Sequence, residues 1–575
     1  MQNSNFTGPA APKDPAGKRS GFFILFDTII EASARQDGNF TQEIYLEGRL
    51  SEKAKFSGGV EDEEILALLS SCKGFRKLVH SMGITVNVHE SNCRSEVFFS
   101  LENWGKTSKY ESGTRIRIPC ENDGSETVVV LADIEWSTDD DVPGKFAFEF
   151  DQAGMLATVS IKLYLNDGFE VPEKEVEPPV EFGTDVYRGM IAKSLLNKGN
   201  NKRLKAAIEK ARRGEDVTIA YIGGSITQGA GAKPIHTECY AFKAYERFKR
   251  MYGQAGAGAE HIHLIKAGVG GTPSELGMIR YDRDVLRNGD IDPDIVIIEF
   301  AVNDEGDETK GNCYESLVLK ALNADNAPAV ILLFSVFVND WNLQDRLSPV
   351  GWHYDLPMVS VKDAVVDQFK LAKVEGNILS KRQFFYDIYH PTNVGHTVMS
   401  DCLAYLFEET DRSVANAEDI VTDMLPVIGN DFVDVRLLDR SSYEGVAWIE
   451  TGGFDQSDID LQFVEMDSNP FGTPQFPHNW MHSTESGESG FRMTINSKRL
   501  LLVFKDSGSQ DFGSAEVWVD GQLVSTADPH VNNWTHCNAV ILYNEQQTRE
   551  HNVEIRMASG QEDKRFTILG FGYVK

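Results

Sequence analysis

Four short segments of the 575-residue chain gather side chains that can move a proton or stabilise a negative oxygen. In the first, Tyr221-Ile-Gly-Gly-Ser-Ile-Thr-Gln-Gly229, Ser225 stands among glycines directly after an apolar run. A serine at the carboxyl end of a buried strand sits where open α/β sheets bind ligands. The second, Lys266-Ala-Gly-Val-Gly-Gly-Thr272, offers bare amides at Gly270 and Gly271 that can point at a developing oxyanion. The third, Glu299-Phe-Ala-Val-Asn303-Asp304, follows the most hydrophobic run of the chain and supplies Asn303 as an uncharged donor for the same purpose. The fourth, Asp387-Ile-Tyr-His390-Pro-Thr-Asn-Val-Gly-His396, sets a carboxylate three residues before an imidazole. That spacing lets the carboxylate fold back and fix the imidazole tautomer. His396 competes with His390 but falls inside the following helix, where packing is the plainer role. Taken singly, the first segment reads equally well as a plain strand-to-helix turn, the second better as an ordinary glycine loop, and Asn303 of the third also as a loop or cap residue.

Other glycine-loop chemistries fail on spacing. No G-x-G-x-x-G follows the first strand and no G-K-[ST] is present, so nucleotide binding has no support. The nucleophile elbow G-x-S-x-G is broken by Thr227. His236, His390 and His396 lack the carboxylate or thiolate spacing of a zinc centre, so no metal and no organic cofactor is expected.

The elements that must position these segments follow from hydrophobic period. Between residues 186 and 424, apolar runs (Val217–Ile222, His263–Ala267, Ile295–Ala301, Ala329–Val336) alternate with helical patterns (Lys202–Arg213, Ala241–Tyr252, Tyr314–Leu322, Lys362–Lys373, Val394–Phe407). Such alternation means a parallel sheet covered on both faces. Residues 21–165 instead carry short β-type runs separated by turn residues, as do residues 425–575, and each stretch reads as an all-β sandwich. Val519-Asp520-Gly521-Gln522 reads as a hairpin turn. The Pro- and Glu-rich residues 166–185 read as a linker, and the polar residues 1–20 as a disordered leader.

Charge and composition narrow the partners. A net charge of −31 repels polyanions, so nucleic acid is not expected, and uncharged substrates suit the surface. No run of about 18 apolar residues marks a membrane span. The leader lacks the apolar centre of a secretory signal, and the seven cysteines are odd in number without C-x-x-C pairs. Both features point to a cytoplasmic location with reduced thiols. An oligomer is compatible with this composition.

Together the four segments resemble the SGNH, or GDSL-like, hydrolase superfamily over residues 215–410. The serine block has Gly224 where the family usually has Asp, and the third block has Ala301 where it has Gly. The fourth is intact. The resemblance implies a flavodoxin-like three-layer α/β domain and a serine esterase. Ser225 is then the nucleophile, His390 the base and Asp387 its orienting acid, with Ser225, Gly271 and Asn303 forming the oxyanion hole. The form G-G-S-I-T and the phrase Ala267-Gly-Val-Gly-Gly-Thr-Pro-Ser-Glu-Leu-Gly277 resemble the bacterial carbohydrate esterases of this superfamily. They imply O-acetyl esters of plant-type oligo- or polysaccharides as substrates. An esterase or lipase for other small acyl esters is the chief alternative, and a non-catalytic carbohydrate-binding protein a further one. Trp104 and Trp136 are sugar-stacking candidates in the N-terminal module, weighed against ordinary core positions. A shallow crevice needs a wall to hold a sugar, and domain interfaces commonly supply one. Phe476-Pro-His-Asn-Trp480-Met-His482 is therefore read as a long loop leaning over the serine, with Gly270 and Trp480 touching substrate, weighed against the plainer reading that Trp480 packs its own module.

Overall fold

The longest apolar runs become the central strands of a parallel sheet. In the computed structural model, which describes residues 19–35, 38–46, 49–89, 96–172, 177–253, 259–487 and 489–575, these strands are Ile295–Glu299, Ala329–Phe334 and Val217–Gly223. All but one of their residues are buried, because helices cover both faces. The six-stranded sheet runs in the order Leu195–Asn197, Met358–Ser360, Ala329–Phe334, Ile295–Glu299, Val217–Gly223, Ile262–Gly268. Only the first pair is antiparallel. Counted along the chain, the five parallel strands have the flavodoxin-like order 2-1-3-4-5. The strand order therefore reverses between Val217–Gly223 and Ile295–Glu299, and ligands bind in the crevice at such a switch point. Ser225 and Asn303 follow those two strands.

Two cores lie against the sheet. One packs under the helices Lys202–Arg212, Tyr240–Tyr252, Val361–Phe369 and Asn393–Arg412. The other packs under Ser274–Asp284 and Asn312–Leu322, and it continues into the C-terminal module through Leu501, Val503, Leu569 and Val574. The two domains thus share one apolar interior.

Antiparallel sheet domains flank the centre. The N-terminal one stacks a four-stranded sheet (Gly21–Glu31, Leu156–Leu165, Val79–Val88, Asp123–Val130) on a five-stranded one. It is not purely β. The helices Leu50–Phe56, Glu63–Leu68 and Cys72–Leu78 fill one end of its core. Asp62 and Ser71 cap the latter two through their side-chain oxygens. Trp104 is buried in this module, and the Trp136 indole N–H donates to Leu131 O beneath the Arg76 guanidinium. The C-terminal domain is built on two long strands, Phe491–Asp506 and His536–Met557, each longer than the separate runs expected from sequence. Register shifts at Ser497/Arg499 and Leu500/Leu501 bend the pair. The first half of Phe491–Asp506 then pairs with Ala447–Glu450 and the second half with Phe566–Val574. The hairpin at Asp520-Gly521 is present, joining Ala515–Val519 to Gln522–Ala527.

Trp480 requires a correction. It lies on the short strand Trp480–His482, paired with Phe566–Ile568, and not on a loop over the serine. Its indole is 1% exposed and packs against Tyr443, Phe491 and Phe571 inside the C-terminal core. Burying so large an apolar surface there is worth more than leaving it over an open crevice.

The expected linker is held down where it is described: Glu177 accepts from Ser380 Oγ at 2.6 Å, and Val180 enters a catalytic-domain core. Residues 1–18 of the expected leader and Cys93 lie outside the described residues. The six described cysteines are free and buried. No helix among the described residues is long and apolar enough to cross a membrane.

Candidate active site

The strand Val217–Gly223 ends in a helical turn, Ser225–Gln228, that lifts Ser225 to the sheet's carboxyl edge. Several buried groups pin this turn. Thr227 Oγ1 donates to Glu299 Oε2 (3.1 Å) and lies 2.8 Å from Tyr240 Oη. Burial pushes the Glu299 carboxyl up to about 7. Lys266 Nζ donates to Gln228 O at 2.7 Å. The Arg280 guanidinium, fully buried, donates to Gly223 O (2.9 Å) and Ala267 O (2.6 Å) and pairs with Asp284 (3.2 Å). It therefore ties together the ends of the two strands that lead into the serine and glycine loops.

A hydrogen-bonded chain joins Ser225 to the fourth segment. Ser225 Oγ lies 2.9 Å from His390 Nε2, and His390 Nδ1 lies 2.9 Å from Asp387 Oδ2. Asp387 Oδ1 also accepts from the amides of Tyr389 (2.8 Å) and His390 (2.7 Å), which is how three residues of separation close into one turn. Burial works to raise the Asp387 carboxyl. The facing His390, the Lys53 ammonium and those amide bonds outweigh it and hold the group well below the usual carboxylate range. Asp387 is therefore ionised and available to orient the imidazole. His396 takes no part. It is buried, accepts from the Tyr240 amide (3.2 Å) and stacks on the Tyr240 ring, and burial pushes it down to about 3.

The donors expected around the oxyanion lie near the serine. A β-carbon on Gly224 would fall 2.6 Å from Asn303 Cγ and 2.7 Å from its Nδ2, so the carboxamide passes directly over the serine turn. Gly271 is exposed and adopts φ +73°, and among the described residues its N–H meets no acceptor. Gly270 does not fit its expected place at the substrate. Its N–H donates to Gln228 Oε1 (3.1 Å) and its carbonyl accepts from Gln462 Nε2 (2.8 Å), so its backbone groups are already satisfied.

Gln462 belongs to the C-terminal module, which leans over the glycine loop after all. The ring of Trp534, half-buried, lies against Gly271. A β-carbon there would be 2.8 Å from its Cζ2, and His536 stacks on the same indole with centroids 4.5 Å apart. The Asp506 carboxylate holds this loop by accepting from the amides of Asn532 (2.9 Å) and Asn533 (2.7 Å). Sequence reasoning missed Trp534. Its only local signal is the turn-rich stretch Asp528–Thr535, and the contact spans more than 260 residues.

Beneath Asn303 lies a buried acidic group that sequence reasoning also missed. Asp304 accepts from Ser274 N (2.7 Å) and Ser274 Oγ (2.8 Å). Burial and the nearby Asp307 push it up to about 8. Burial, Asp307 and Glu308 push Glu275 up to about 9. Asp307 itself accepts from Thr309 and from the Gly311 amide. Glu275, Asp307 and Cys313 are ligand-type side chains near one another, but these bonds already use the Asp307 oxygens.

Residues 221–398 match the model of the GDSL-like Lipase/Acylhydrolase family. A solved two-domain esterase active on acetylated mannans is 26% identical with a TM-score of 0.56, covering 67% of this chain and 99% of its own. A structure of such an esterase co-crystallised with mannopentaose gives 26% and 0.55 over 67% and 98%. A family-two carbohydrate esterase from Cellvibrio japonicus covers 68% and 97%, but at 11% identity and a TM-score of 0.24 it carries no argument. None of the curated proteins compared with the chain matches it. Residues 221–398 belong to the GDSL-like lipase/acylhydrolase family, and the chain that carries them is a carboxylic ester hydrolase.

Proposed function

We propose that this enzyme removes O-acetyl groups from plant-type oligo- or polysaccharides, mannan-like chains among them, through an acyl-enzyme on Ser225. The observation that carries the reading is the continuous chain Ser225 Oγ, His390, Asp387 at 2.9 Å per step. His390 takes the hydroxyl proton as Oγ attacks the acetyl carbonyl, and the electron pair moves to the carbonyl oxygen. That oxyanion is met by the amides of Ser225 and Gly271 and by the Asn303 carboxamide. Collapse expels the sugar alkoxide, which takes the proton from His390. Water then attacks the acetyl-serine with the same base, releasing acetate and restoring Ser225. Asp387 orients the imidazole and stabilises its positive form throughout. The carbohydrate assignment is supported by the likeness to an esterase active on acetylated mannans and by the Trp534 wall beside Gly271. An indole face suits the apolar side of a sugar ring, and its place at a domain border suits a ligand pocket.

The test compares acetylated manno-oligosaccharide, 4-nitrophenyl acetate and 4-nitrophenyl octanoate on the full chain and two variants. Ser225→Ala should abolish turnover on all three, a loss on the order of a millionfold. Trp534→Ala should cost about tenfold in kcat/KM on the oligosaccharide and little on 4-nitrophenyl acetate. Hydrolysis by Ser225→Ala near the parent rate ends the nucleophile assignment. A preference for the octanoate would make the enzyme a lipase-type esterase.

A further inference from the structure

The N-terminal module meets the catalytic domain through the helix Leu50–Phe56 and the residue before it, and what this surface covers is the segment Arg382–His390. Arg382 Nε donates to Phe56 O at 3.0 Å. The Arg49 guanidinium lies 4.9 Å from the centroid of the Tyr389 ring. Between them Lys53 is 3% exposed, with its ammonium 3.8 Å from the centroid of the Tyr386 ring. Tyr386 is packed against the N-terminal core, and its amide donates to His390 O at 2.8 Å. A lysine buried this deeply is costly unless an aromatic face or an anion compensates it. Here the compensation is the Tyr386 ring and, one residue further on, the Asp387 carboxylate, on which Lys53 exerts an attractive field.

We propose that Lys53 is a positioning residue of the active site, a cation delivered by the N-terminal module that fixes the Tyr386–His390 turn and sets the charge balance of the Asp387–His390 pair. The proposal rests on reading that pair as the acid–base machinery. On the helix side the charged groups facing it are Arg49, Glu52 and Lys53. Burial pushes Glu52 up, with Arg49 and Lys53 acting against it. Lys233 approaches from the neighbouring loop, 6.0 Å from the Tyr386 centroid. His396 on the following helix is neutral, and so is Ser225. Lys53 is thus the buried cation of this set, and its field favours the carboxylate while opposing a positive imidazole. Losing Lys53 takes a cation away from beside the pair, which makes its protonated form easier to reach.

The experiment follows Lys53→Met and Lys53→Gln, with Lys53→Arg as the conservative control, all in the full chain. The first readout is kcat/KM on 4-nitrophenyl acetate against pH, and the second is the His390 imidazole titration by NMR, which needs no turnover. In both neutral variants the acid limb and the imidazole titration should move to higher pH by about half a pH unit, the scale of one nearby charge in a partly buried site. Plateau kcat should fall several-fold at nearly unchanged KM, and Lys53→Arg should restore the limb. A titration that stays in place in folded Lys53→Met or Lys53→Gln overturns the proposal, even if thermal stability drops. A titration that moves in a protein without esterase activity would keep the coupling and defeat the esterase reading.

Discussion

In the proposed mechanism Asn303 meets the ester oxygen only after that oxygen has become negative, so its deletion should be felt in turnover and not in binding. Asn303→Ala is expected to lower kcat by about a hundred- to a thousandfold with KM within about twofold of the parent, measured by steady-state kinetics on 4-nitrophenyl acetate. A raised KM at unchanged kcat would make Asn303 a ground-state binding residue. The same carboxamide explains a departure from the family pattern. Any β-carbon at position 224 would strike it, so glycine is the residue that lets the two loops close. Ser225, Asp387 and His390 were legible in the sequence because each required residue type sits in a short block and the blocks occur in a fixed order. Arg280 was not. An arginine on a helix reads as a surface residue, and only the folded sheet shows that two strand-end carbonyls and Asp284 satisfy it. Lys53 and Trp534 escaped for the same reason, since each acts on a segment hundreds of residues away.

The helix Ser274–Asp284 and the loop after Ile295–Glu299 form one unit stiffened by neutral acids. Glu275 and Asp304 are raised in the folded protein, to about 9 and about 8, from the ordinary carboxyl range near 4. For acids raised this way, the stabilising contribution is complete below the unfolded value and is lost as pH climbs through the folded one. The unit should therefore weaken between about pH 5 and 9. Glu275→Gln keeps the shape and a donor toward Asp307 while removing one titration. Thermal scans from pH 6 to 9.5 should show a shallower alkaline decline for Glu275→Gln than for the parent, and an equal slope would remove Glu275 as a source of that decline. Four strands and five helices of the central domain were legible because strands buried on both faces are continuous apolar runs and amphipathic helices hold a 3.6-residue period, whereas the helices Ser274–Asp284 and Gln344–His353 and the short strand Met358–Ser360 were not read. The helices Leu50–Phe56, Glu63–Leu68 and Cys72–Leu78 were not, because six or seven residues give too few turns for a period to show. The two long C-terminal strands were read as four, since the polar residues at their bend look like turns when their partners are unseen.

At the scale of the molecule, three modules were visible as changes of pattern along the chain, but the way they join was not. The expectation that a C-terminal tryptophan would wall the crevice named the wrong residue. Trp480 has a β partner, Ile568, 88 residues downstream that draws it into the core, whereas Trp534 sits on a loop that Asp506 aims at Gly271. The N-terminal module reaches the same place from the other side, where the Lys109 ammonium donates to Asn533 O, next to that tryptophan. The apolar interior shared by the sheet and the C-terminal module has a further consequence. Leu501, Val503, Leu569 and Val574 lie in one buried cluster with Ile298, Phe300 and Leu317, and Gln462 donates to the carbonyl of Gly270. A gene truncated after residue 424 would therefore encode a protein with a wide greasy face where its other half belongs, and such faces cause aggregation. It should accumulate as inclusion bodies, while a product spanning residues 180–575 should stay in the supernatant after lysis. The heritable unit around Ser225 is then the pair of domains, passed on together, and any exchange of parts between lineages would have to fall on the N-terminal side of residue 180.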